Sequence, residues 1–219
     1  MAIFGENDGM SSRPRRLRIA SLAAAAACCV SLAARAEAPP APVPADAARD
    51  AEVYAAVLAS VNPNPASRPA IVIKDRTADA SEVLRRSKAP RAELHALVPN
   101  ASDALLDAFL AATAQSRSLA PADFARAANV KAEVVPAQEV AHAFDGVPMA
   151  EAWRRLAEAH GGARVVVTFS APGYDEASGT ALVYMVVDCG GLCGGGNVML
   201  LALRDGAWHV TETHALWTH

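Results

Sequence analysis

The sequence is poor in aromatic residues, has no excess of positive charge, and offers one long apolar run at most. Only 5% of its 219 residues are Phe, Trp or Tyr. Lys plus Arg number 20 against 23 Asp plus Glu, a net charge of −3, so nothing in the charge balance draws the chain to nucleic acid or to an anionic membrane. Outside the N-terminus, no apolar stretch reaches the roughly 18–20 residues that a membrane-spanning helix needs. What is present is apolar content: 53% of the residues are hydrophobic and 20% charged, too apolar a mixture for a disordered chain.

The N-terminus has the order of an export signal. Arg13, Arg15, Arg16 and Arg18 form a positive cluster, and the alanine-rich segment from Ile19 to Ala34 is apolar except for two serines. Ala34-Arg35-Ala36 then supplies small residues at the positions a signal peptidase reads. Cleavage is expected after Ala36, because cleavage after Ala38 would place Pro39 just past the cut. Three alternatives stand beside this reading. The segment is a retained anchor, although it is short and leucine-poor; or Cys28 is the acylated first residue of a lipoprotein, although Ala25 stands where a large aliphatic residue is wanted; or Met10 rather than Met1 is the start. Removal of 36 residues takes away five basic and two acidic groups, leaving 15 and 21, a net charge of −6. It also leaves two cysteines, Cys189 and Cys193, in a compartment that permits disulfides. Periplasmic or secreted localisation is expected, with no membrane span after cleavage.

Residues 37–45 hold four prolines and read as an extended linker. Residues 46–219 then read as a single α+β domain. Asp46 to Val61 is helix-compatible, with Val53, Tyr54, Val57, Leu58 and Val61 on one stripe. Ile71-Val-Ile73 reads as a strand. Residues 75–130 look helical, with Val83 and Leu84 in a short amphipathic piece, caps in Pro99-Asn-Ala-Ser-Asp103, a helix from Ala104 to Gln115, and a short one presenting Phe124. The segment Glu133 to Phe144 is ambiguous: Val134 and Val135 favour a strand, and Pro136 argues against a central one. Pro148 to His160 reads as a helix ended by Gly161-Gly162, with Trp153 and Leu156 on one face. Strands follow at Arg164–Ser170, Thr180–Val187, Asn197–Arg204 and Ala207–Trp217, with turns at Pro172-Gly173 and Asp205-Gly206. The strand at 180–187 is apolar on both faces and so is expected to be central. The expectation is N-terminal helices packed on a C-terminal four-strand antiparallel meander.

The sharpest local feature is Cys189-Gly-Gly-Leu-Cys193-Gly-Gly-Gly196, placed at a hairpin tip. Two cysteines across so tight a turn can reach the Cα separation of about 5.5 Å that a disulfide requires. The bridge would close a tiny loop, contributing roughly 2 kcal/mol or less, and would mainly fix the shape of a glycine-rich tip. A redox pair usually has two intervening residues and a helix N-terminus; a zinc site needs four ligands; a phosphate cradle feeds a helix rather than a strand. No metal and no cofactor is therefore expected. Strand alternation places His209 and His214 on opposite faces, unable to chelate together. His95 and His160 read as helix-surface groups, and His142 and His219 have no assigned role. If any group is catalytic, His214 is the candidate, with Glu212 on the same face to orient it. Ser170 and Ser178 lack the glycine-flanked elbow of a hydrolase nucleophile. Trp153, Tyr184, Trp208 and Trp217 read as core. Asn100-Ala-Ser102 matches a glycosylation sequon of the kind that arises by chance.

The last third, Trp153…Phe169-Ser170…Gly173-Tyr174…Thr180-Ala-Leu-Val-Tyr184…Cys189-Gly-Gly-Leu-Cys193-Gly-Gly-Gly196…Gly206-Ala-Trp208, resembles a set of uncharacterised exported bacterial proteins. Their pattern combines a tryptophan helix, an Ala-Leu-Val-Tyr-like strand, a Cys-Gly-x-Leu-Cys-Gly loop and a Gly-x-Trp strand. The chain departs from it at Leu156 and His160, where members carry an aromatic. The resemblance implies export and fold and no activity. The helix-then-meander ending is also similar to cystatin-like and nuclear-transport-factor-like folds, which hold a pocket between a curved sheet and its helices. Two functions are expected in order: a non-enzymatic cell-envelope module binding a protein, a peptide or a small apolar ligand, or a small periplasmic hydrolase or isomerase with a sheet-lined pocket.

Overall fold

The first described residues make the first helix. The computed structural model describes residues 45–62, 64, 68–79, 84, 89–191 and 193–218. The expected signal at 1–36 with Cys28 and Cys29, nearly all of the 37–45 linker, Val83 and His219 lie outside the described residues. Helix α1 (Ala45–Val61) buries Val53, Tyr54, Val57 and Leu58, the 3.6-residue stripe that the sequence shows. Val61, the last member of the stripe, stays 47% exposed.

Strand β1 (Ala70–Lys74) follows, then α2 (Pro90–Leu97) and α3 (Asp103–Ala112). Ser102 caps α3 by accepting the Leu105 N–H at 3.0 Å. A short 3-10 turn at Pro121–Phe124 precedes β2 (Lys131–Val135), α4 (Ala137–Phe144) and α5 (Met149–Ala159). The C-terminal third carries β3 (Val166–Phe169), β4 (Gly173–Asp175), β5 (Thr180–Asp188), β6 (Gly194–Arg204) and β7 (Ala207–Thr218).

Among the described residues these strands form one seven-stranded sheet in the order β2-β1-β3-β5-β6-β7, with β4 also paired to β5. The α+β class is as expected. The sheet is not a four-strand antiparallel meander: it is mixed, because β1 pairs parallel to both β2 and β3, whereas β3, β5, β6 and β7 pair antiparallel in succession. The helical segments between β1 and β2, and between β2 and β3, are long enough to carry the chain back for parallel pairing. Pro136 does not interrupt β2; it stands just after it and opens α4.

Both sheet faces are covered. α1 and the 3-10 turn pack with Ile71, Ile73, Val167, Phe169, Val183 and Met185 on one face. On the other, α2 and α3 cover Leu182, Tyr184, Val198 and Leu200. Beside them α4 and α5 cover Val72, Val135 and Val166. Strand β5 shows the two-faced apolar pattern that marks a covered, interior strand.

Pro172-Gly173 is not a hairpin turn. The register moves by one residue between Phe169↔Met185 and Gly173↔Leu182, so β3 and β4 act as one broken strand beside β5. Gly173 is there for close approach, because a Cβ would collide with the α3 backbone at Phe109. Ser170 fills the break: its hydroxyl donates to the Ala171 carbonyl at 3.0 Å and accepts the Tyr184 N–H at 2.9 Å.

Candidate functional site

Where α4 and α5 leave the sheet, a cavity of about 330 Å³ opens between them and the β5–β6 loop. Val140 and Phe144 of α4, Met149 and Trp153 of α5, and Val166 of β3 give it an apolar lining. Phe144 and Trp153 meet edge to face, with centroids 5.2 Å apart. Met149 is 56% exposed and stands at the mouth. Gly190, Gly191 and Cys193 form the wall opposite the helices, and Lys74 and Asp188 are its charged lining residues.

That wall is the loop singled out in the sequence. The sulfurs of Cys189 and Cys193 lie at disulfide distance, with Cα atoms 5.2 Å apart. The Cys189 N–H donates to the Cys193 carbonyl at 3.1 Å, and the Cys193 N–H to the Gly190 carbonyl at 3.0 Å, closing a tight ring. Gly190 (φ +86°) and Gly191 (φ +58°) supply the left-handed backbone that the ring requires. Gly190 also lies on Trp153: a Cβ there would come 2.9 Å from the indole Nε1, which is itself buried and has no hydrogen-bond partner in the structure. The next three glycines are not part of the tip. Gly194, Gly195 and Gly196 begin β6, where a Cβ on Gly196 would collide with the Trp217 indole and the Tyr184 hydroxyl, which are joined by a 2.9 Å hydrogen bond.

On the opposite face, Asp50 is buried and its carboxylate meets the Arg117 guanidinium and the Tyr174 hydroxyl. Arg49 lies 3.6 Å from the Tyr174 ring centre. Tyr54 donates to the Ser170 carbonyl at 3.1 Å. Burial, and then the hydrogen bond and charge of Asp50, push the Tyr174 phenol far above its ordinary range. Burial likewise raises Tyr54, partly opposed by Arg117. Both phenols therefore keep their protons at neutral pH, and the cluster ties α1 to β4.

The predicted catalytic candidates are adjacent. His214 Nε2 and Glu212 Oε2 are 2.8 Å apart, and Glu212 also accepts from Asn100 Nδ2 at 2.7 Å. These two bonds hold the Glu212 carboxyl below its usual value. Neither residue lines the cavity. Asn100 and Ser102 of the sequon both serve the fold, since Ser102 also donates to Asp175 at 2.7 Å.

Two histidine expectations are corrected. His160 is not a surface group: it is 8% exposed at the end of α5, with Nδ1 3.0 Å from Glu133 Oε1 on β2. His209 and His214 are not on opposite faces. His209 pairs with Ala202 and His214 with Val198, and a register shift between Leu200 and Leu201 moves the alternation by one residue. They share a face but stand opposite positions four residues apart on β6, roughly 13 Å, too far to chelate together. Among the described residues no group of three or more His, Cys, Asp or Glu side chains could hold a metal ion, and no helix is long and apolar enough to cross a membrane. His95, His142 and His209 are exposed, and Ser178 bonds Thr180 at 2.7 Å.

The arrangement defines an α+β protein with a small, mostly apolar cavity beside a cysteine ring. No protein-family model, no curated protein and no solved structure matches the chain. Sequence reasoning found the ring but read Trp153 as core, and it missed Lys74, Asp188 and Val140 as members of one site. No local pattern marks them, because strand register and helix packing bring them together.

Proposed function

We propose that the chain is an exported, non-enzymatic binding module of the cell envelope, and that its cavity takes a small apolar ligand. The observation that carries this reading is the cavity of about 330 Å³ walled by α4, α5 and the Cys189–Cys193 ring. Its size lies at the low end of small-molecule sites, and its apolar lining with few polar groups is the usual composition of such sites. The short cysteine ring suits an oxidising compartment, and the charge, apolar run and small residues before position 36 support export. A disulfide between Cys189 and Cys193 would hold the wall in place without ligand, which lowers the ordering cost of binding. The hydrolase or isomerase reading is weaker, because the His214–Glu212 pair stands apart from the cavity.

The test is thermal unfolding of the purified protein with indole and with 4-methylpentanol as neutral apolar probes. Both are expected to raise the Tm, and Ala141→Trp, which fills the space from α4, is expected to abolish the rise. Unchanged Tm with both probes would overturn the reading. Fractionation of cells producing the full chain tests export: the processed chain is expected outside the cytoplasm, and an unprocessed cytoplasmic chain contradicts it.

A further inference from the structure

The cavity is lined by a lysine and an aspartate whose side chains join no ion pair among the described residues. Lys74 ends β1 and Asp188 ends β5, with β3 between them. Val72 pairs with Val166, and Val166 with Asp188, so Asp188 stands on the same face as Val72 and therefore as Lys74, two residues further along. Strand spacing and rise put the two Cα atoms about 12 Å apart. Both residues are half-buried and both line the cavity. Neither belongs to an ion pair among the described residues, whereas half-buried Arg49 meets Glu176 and half-buried Glu52 meets Arg126. They do not pair with each other across the cavity.

A lysine and an aspartate that face one cavity and are paired neither with each other nor with another ion offer charge-assisted bonds to a ligand carrying both complementary charges. The α4 N-terminus is already used, because Asp75 Oδ1 accepts the Ala137 N–H at 2.8 Å, so Lys74 is the cation available to an anionic group. Resting on the binding reading above, we propose that the ligand is a small zwitterion with an apolar side chain, a free hydrophobic amino acid or a dipeptide. Its carboxylate pairs with the Lys74 ammonium. Its ammonium pairs with the Asp188 carboxylate. Its side chain lies against Val140, Phe144 and Trp153. The volume suits a molecule of that size. Charge-assisted bonds in a partly water-excluded site are the strong ones, so both ends contribute to selectivity.

Isothermal titration of the purified protein decides it. Leucine and Leu-Leu are compared with 4-methylpentanoate, which lacks the ammonium, with 3-methylbutylamine, which lacks the carboxylate, and with neutral 4-methylpentanol. A zwitterion is expected to bind about tenfold or more tighter than either singly charged analogue. Lys74→Met is expected to weaken leucine and 4-methylpentanoate and to leave 3-methylbutylamine unchanged. Asp188→Asn is expected to do the reverse. Preference for leucine or for Leu-Leu identifies the length of the ligand, and either one supports the proposal. If 4-methylpentanol binds and the zwitterions bind no tighter, the zwitterion assignment is wrong while the cavity reading stands. If nothing binds, indole included, both fall. The analogue series needs no variant, so misfolding of Lys74→Met or Asp188→Asn leaves the decision intact.

Discussion

Replacing Gly196 by Ala is the most informative single change to the fold. A glycine-rich stretch after a cysteine ring looks like a flexible tip, and a flexible tip tolerates alanine. Here Gly196 lies inside β6, under the Trp217 indole and the Tyr184 hydroxyl, both within collision distance of an added Cβ. Overpacking of this kind costs roughly 1–3 kcal/mol. Displacing the indole also breaks the Trp217–Tyr184 hydrogen bond, worth about 0.5–1.5 kcal/mol. The sum is about 2–4 kcal/mol, or a fall in Tm of about 5–15 °C for a domain of this size. Gly191→Ala is the matched control. Its backbone is left-handed at φ +58° but the space around it is open, so about 1 kcal/mol is expected from backbone strain alone. Urea titration of both variants, with thermal scans, measures the difference. Tyr184→Phe removes the hydroxyl that the new methyl would strike, so in that background the cost of Gly196→Ala is expected to drop by about 1 kcal/mol. Equal stability of Gly196→Ala and Gly191→Ala, with no coupling to Tyr184, would refute the packing argument.

Asp50→Asn removes the charge that meets Arg117 and Tyr174; with Arg117 43% exposed, a loss of about 2–3 kcal/mol by urea unfolding is expected, and a loss under about 0.5 kcal/mol would contradict a structural role. Thiol titration in native and denaturing conditions is expected to find Cys189 and Cys193 unreactive, and replacing both with Ser to cost roughly 2 kcal/mol or less while weakening probe binding to the cavity they wall; two free thiols would refute the ring. Glu212 has a depressed folded value, so its stabilising effect is complete above the unfolded value of about 4.3 and is lost as pH falls through the folded one. The stability gap between wild type and Glu212→Gln is therefore expected to hold above the unfolded value of about 4.3 and to close as the pH falls below it, and a pH-independent gap would contradict the bonds to His214 and Asn100.

Local pattern carried a good part of this fold. The helical stripe of Val53, Tyr54, Val57 and Leu58, the Ser102 cap, the two-faced strand at 180–188 and the Asp205-Gly206 turn between β6 and β7 are all legible because they depend on neighbours in sequence. The sheet's parallel half was not. Ile71-Val-Ile73 reads as a strand, but its place between β2 and β3 depends on partners about sixty and ninety residues away in sequence, and nothing local encodes them. By strand alternation His209 and His214 read as lying on opposite faces, but alternation presumes an unbroken ladder, and the register shift in β7 resets it. His160 reads as a helix-end surface residue, but β2 lies against that end and buries it. The cavity has the same origin: Lys74, Val140, Trp153 and Asp188 come from four separate elements, and no spacing rule joins them.

The three tryptophans, Trp153, Trp208 and Trp217, give a direct readout of the central claim. Trp153 lines the cavity, whereas Trp208 packs on the α1 face and Trp217 lies over Gly196. The deciding measurement is an NMR titration of the purified protein with leucine, following the three indole N–H resonances. The account predicts that the Trp153 signal shifts in a saturable way while the other two hold still. Saturable movement of Trp208 or Trp217 alone, or no movement of any indole resonance at saturating leucine and indole, would contradict it.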